Sequence, residues 1–73
     1  MTGGLVKRSI SLAGHRTSVA LEPEFWAVVE AMAADKGTSL AALLSELDQS
    51  RGERPLASAA RVAALAFAAG EVR

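Results

Sequence analysis

Polar and apolar residues alternate along Val6–Leu12 and again along His15–Leu21, and from Pro23 onward the spacing turns helical. Alternation with period two marks a half-buried strand. In the first stretch Val6, Ile10 and Leu12 fall on one side and Lys7, Ser9 and Ser11 on the other, with Arg8 interrupting the apolar side. Between the stretches, Gly14 and His15 can form a two-residue hairpin loop with Gly first. That loop sets Ala13 opposite Arg16, Leu12 opposite Thr17 and Ile10 opposite Val19. It gathers Ile10, Leu12, Thr17, Val19 and Leu21 on one face, and Lys7, Ser9, Ser11, Arg16, Ser18 and Ala20 on the other. The pattern leaves two readings of residues 6–21, a single strand or a hairpin. Residues 1–5 read as a flexible tail.

Three helices follow. Pro23 suits a first helical turn, and Glu22 and Glu24 favour its positive end. Phe25, Val28, Val29 and Met32 then form a stripe, with Trp26 and Ala33 beside it, over a helix predicted at 23–36. Lys36 suits the negative end, and Gly37 can take the left-handed conformation that closes a helix. Thr38 or Ser39 caps a second helix predicted at 39–50, where Leu40, Leu43, Leu44 and Leu47 follow the i, i+3, i+4, i+7 spacing. Polar residues with Gly52 and Pro55 end it. A third helix is predicted at 58–69, with Val62, Leu65, Ala66 and Ala69 on one stripe. No internal repeat is evident.

Length limits the whole to one domain over 1–73. So small a chain buries little core and commonly needs a disulfide, a metal or a second chain. It has no cysteine and one histidine, so disulfides and thiolate metal sites are excluded and oligomerisation is left. No apolar run reaches the roughly 18 residues of a membrane span, and the N-terminus lacks the apolar segment of a signal peptide. A cytoplasmic, bacterial-type protein without membrane contact is the expectation. The net charge is zero, yet residues 1–21 carry +3 with no acid while residues 22–73 carry −3. Such asymmetry suits a nucleic-acid-facing segment; a solvated strand face is the plainer explanation.

Catalysis is not indicated. A nucleophile, its base and an orienting group must converge, and a lone His15 near a turn, scattered serines and carboxylates, and no Gly-rich phosphate loop offer no such set. No cofactor or metal is implied. His15 reads as a turn residue or phosphate contact. Trp26 could stack on bases, but its large apolar area reads better as a core or interface anchor. The strand-to-helix pattern is the informative one. A two-stranded ribbon enters the major groove of B-DNA, and a strand becomes a ribbon by pairing antiparallel with its copy in a two-fold dimer.

The stretch "RTSVALEPEFWAVVEAMAADKGTSLAALLSEL" resembles a ribbon–helix–helix domain, the fold of the Arc and methionine repressors. "KRSISLAGHRTSVALEPEFW" resembles, more narrowly, short bacterial members with an N-terminal extension and a third helix, for which "LASAARVAALAF" fits. The resemblance covers about Lys7 to Phe67. It implies a mainly α fold with a short β-ribbon, built as an interlocked homodimer with an antiparallel intermolecular sheet, an extra N-terminal strand and an extra C-terminal helix. It implies a sequence-specific, DNA-binding transcriptional regulator whose Arg16, Ser18 and Ala20 meet base edges. Phosphate contacts are expected from Lys7, Arg8 and His15 and, at the second helix's start, from Thr38, Ser39 and Leu40. Val19, Leu21, Phe25, Trp26, Val29, Leu40, Leu43, Leu44 and Leu47 would form the dimer core. The alternative is a protein-binding, antitoxin-like dimerisation module that does not read DNA, using helix three or a sheet edge. An apolar patch on helix three would favour that alternative; an acid-free basic sheet face would favour DNA.

Overall fold

Two antiparallel strands, β1 (Val6–Leu12) and β2 (His15–Leu21), form a hairpin that lies on three helices, α1 (Pro23–Lys36), α2 (Leu40–Ser50) and α3 (Leu56–Ala68). The computed structural model describes residues 4–70. Residues 1–3 of the expected tail lie outside them. β1 packs over α2, and β2 over α3 and α1.

The hairpin turns at Ala13–Gly14, not Gly14–His15. Both central residues have positive φ, +52° at Ala13 and +83° at Gly14. That combination matches the right-handed twist of the flanking strands. The ladder therefore pairs Leu12 with His15, Ser11 with Arg16, Ile10 with Thr17, Ser9 with Ser18, Arg8 with Val19, Lys7 with Ala20 and Val6 with Leu21. Relative to the register expected from sequence, the pairing slips by two residues. Side chains alternate with period two, so an even slip leaves each residue on its expected face.

Helix boundaries follow local chemistry. Gly37 closes α1 at φ +69°, and the Thr38 N–H returns to the Ala33 carbonyl at 2.9 Å. Ser39 stands before α2 as its cap, with Oγ accepting from the Ala42 N–H at 3.0 Å. α3 begins at Leu56, two residues before the start expected at Ser58, because Pro55 already holds a helix-compatible φ of −58°. The early start brings Leu56 against the core.

The core gathers Ile10 and Leu12 of β1, Val19 and Leu21 of β2, Trp26, Val29, Met32 and Ala33 of α1, Leu43 and Leu44 of α2, and Ala60 and Ala64 of α3. Ala60 and Ala64 bring α3 close, since an alanine stripe adds little width. Of the residues expected to form a dimer core, Val19, Leu21, Trp26, Val29, Leu43 and Leu44 are at most 3% exposed within the single chain. Their burial needs no second chain. Phe25, Leu40 and Leu47 are half-buried at its margin. Within the chain β2 pairs with the expected extra N-terminal strand, β1, along one edge.

Candidate nucleic-acid interface

The outer face of the hairpin is a grid of three rows, Lys7 beside Ala20, Ser9 beside Ser18, and Ser11 beside Arg16. All are exposed except the half-buried Ala20. No acid lies on this face. The ion pairs among the described residues engage Arg8, Lys36, Arg51 and Arg61, leaving Lys7 and Arg16 without a carboxylate partner. Two cations separated diagonally by small hydroxyl side chains make a flat, positive, hydrogen-bonding surface.

Arg8 does not belong to it. Its register position faces the helices, where its guanidinium carbon sits 4.5 Å from the centre of the Trp26 ring and its Nη1 donates to Glu30. The expected phosphate contact is thus spent on fastening β1 to α1. Trp26 is 2% exposed, and its Nε1 donates to the Val6 carbonyl at 2.7 Å, at the far end of β1 from the turn. A buried indole with its N–H satisfied is an anchor, not a surface on which bases can stack.

The other expected contacts divide. His15 lies in β2 rather than in the turn, exposed and paired with Leu12. The Thr38 N–H is used in closing α1, so it cannot serve an anion. Ser39 Oγ is engaged in capping α2. The N–H groups of Ser39 and Leu40 have no hydrogen-bond partner among the described residues, and the first turn of α2 carries no acid. A helix start of this kind suits an anion.

Behind the sheet, Arg61 of α3 donates through Nε to Glu22 Oε1 at 3.0 Å and lies 5.9 Å from the Phe25 ring centre. Glu22 titrates below its ordinary value, first because its carboxylate accepts from a backbone N–H at its own position and second because of the Arg61 bond. This pair ties α3 to the start of α1. A cleft of about 200 Å³ opens between the helices, lined by Met32, Leu43, Leu47, Ala63 and Phe67 with the Lys36–Glu46 pair at its rim. Sequence spacing gave no sign of it, since it depends on how three helices meet. Its lining is apolar and does not include His15. Among the described residues no three metal-binding side chains cluster, and no helix is long and apolar enough to cross a membrane.

A family model described as "Ribbon-helix-helix domain" matches residues 5–68. That family generally includes DNA-binding transcription regulators and antitoxins, and its members typically form homodimers. Neither a curated protein nor a solved structure matches the chain.

Proposed function

The protein belongs to the ribbon-helix-helix domain family, and from that premise we propose that it binds double-stranded DNA through the outer face of its hairpin and acts as a transcriptional regulator. The observation that carries this is the acid-free grid on which Lys7 and Arg16 stand exposed and unpaired among the described residues. A ribbon of two strands fits the ~12 Å major groove. Arg16 carries the fork that matches guanine O6 and N7, Ser18 bonds to several bases with little discrimination, and Ala20 offers a methyl contact to thymine. Lys7, His15 and the open N–H groups at Ser39 and Leu40 contact phosphate, which fixes register without reading sequence. A second copy is the other proposed partner. Dimerisation would set two such faces on one duplex.

The test is a binding titration with labelled duplex DNA between about 50 and 200 mM salt. Each phosphate neutralised contributes a slope of about −0.9 in log K against log salt. Lys7 at phosphate and Arg16 in the groove each bring one positive charge onto the duplex and displace about one counterion, giving about −2 per chain and about −4 for a dimer with both faces engaged. Arg8 is left out because Glu30 already neutralises it. A slope near zero overturns the reading.

A protein-binding role has one observation of its own. Val62 and Leu65, on successive turns of α3, are 49% and 68% exposed. If the salt slope is flat and Val62→Ser with Leu65→Ser abolishes self-association, the protein-binding reading replaces the DNA-binding one.

A further inference from the structure

The cleft between the helices does not end at Leu47 and Ala63. Both residues also line a shallower hollow of about 330 Å³, bounded by Arg51, Arg54, Ala59 and Val62. The two hollows form one groove along α3, passing Ala59, Val62, Ala63 and Phe67 in turn. Its floor is apolar and its ends carry opposite charge. Asp35 stands with the Lys36–Glu46 pair at the Phe67 end, and Arg51 and Arg54 stand at the Ala59 end. Arg51 is held by Asp48. Asp35 and Arg54 are exposed and have no ion-pair partner among the described residues. Among the described residues no strand residue lines the groove, so it is separate from the face proposed to meet DNA.

α3 itself carries a matching ridge. Of its 13 residues only Ser58 and Arg61 are not apolar, and Arg61 is committed to Glu22. A helix that is apolar on every side is ordinarily covered on every side. Ala60 and Ala64 face the core, while Val62 and Leu65 stand exposed on the other side. These two are three residues apart, the spacing of a ridge that packs into the groove of a neighbouring helix.

From this match of groove and ridge we infer that a second copy of the chain docks here, through an interface separate from the hairpin. A two-fold axis across the groove sets two α3 helices side by side in opposite directions. Val62 and Leu65 of each chain then enter the groove of the other. The same axis brings the basic end of one groove to the acidic end of the other. Arg54 meets Asp35 of the partner subunit, and the reverse. An isologous contact requires this self-complementarity, in which residue i meets j and j meets i. The two unpaired charges, at opposite ends of one groove, fit that requirement. The outstanding apolar area is small, two side chains per copy, against ~800 Å² per partner in a standard interface. Association through the groove is therefore weak and concentration-dependent, and it adds to any dimer made at the hairpin.

Sedimentation equilibrium without DNA, over a wide range of protein concentration at low salt, tests this on the full chain, Arg54→Asp and Asp35→Arg. Both substitutions fall at exposed positions, so both variants should melt with the parent. Each alone sets like charges at both ends of the interface and should weaken association on the order of 10-fold. An equimolar mixture of the two variants should recover it, because every contact then joins an acid to a base. Val62→Ser with Leu65→Ser should weaken association as well. Association that neither charge variant changes overturns the inference. So does a loss that mixing fails to recover, since Arg54 and Asp35 then do not face each other. A parent that does not self-associate also overturns it and leaves the groove to a foreign segment. None of these outcomes bears on the DNA titration, which is read separately.

Discussion

Ala13→Asn should stabilise the protein. Ala13 holds φ +52° in the turn that joins β1 to β2, a region that costs an ordinary L-residue about 1–2 kcal/mol. Asn tolerates it far better, and Asn-Gly is the preferred pair for a turn with two positive φ angles. Recovering part of the strain is worth about 0.5–1 kcal/mol. In a chain this short the total stability is roughly 4–11 kcal/mol, and the gain should raise Tm by roughly 2–8 °C. The companion substitution Ala13→Val puts a β-branched residue in the same region and should lower Tm. Thermal melts followed by circular dichroism, at several protein concentrations, read both. The effect should not depend on concentration, because β1 and β2 belong to one chain. If both variants melt with the parent, the turn is not formed at Ala13–Gly14, and the register built on it is wrong.

Trp26→Phe keeps an aromatic ring but removes the donor to Val6 and part of the buried indole; about 1–2 kcal/mol should be lost, with faster amide exchange in β1, and unchanged exchange there would contradict the clamp. Arg8→Ala should cost about 1 kcal/mol by removing an exposed ion pair and a cation–π contact, yet leave the salt slope of DNA binding unchanged; a shallower slope would return Arg8 to the phosphate contacts. Glu22 has a depressed pKa in the folded state, so its contribution is present above the ordinary carboxylate value and is lost as pH falls through the folded one. Glu22→Gln should therefore lower Tm at neutral pH and converge with the parent in acid; a constant difference down to low pH would show that the carboxylate's charge, held by its own backbone N–H and by Arg61, is not the cause.

Periodicity settles only what is local. The period-two alternation of Lys7 to Leu12 and Arg16 to Leu21 assigned every strand residue to its face, because a side chain's face depends on parity along its own strand. The leucine spacing of α2 and the glycine after Lys36 likewise report backbone preferences that act within a few residues. Register is different. Alternation fixes it only to within an even slip, so the pairing had to await the turn at Ala13–Gly14 and the Trp26 bond to Val6. The fates of Arg8 and the Thr38 N–H were also decided in three dimensions. Both looked free in the sequence, and both are held by partners that packing brings near, Glu30 and Trp26 for one and the Ala33 carbonyl for the other. The sequence thus determined faces, helices and the acid-free character of residues 1–21. Only the tertiary structure decided which cations remain exposed and in which register β1 pairs with β2, since both depend on contacts that the alternation alone does not specify.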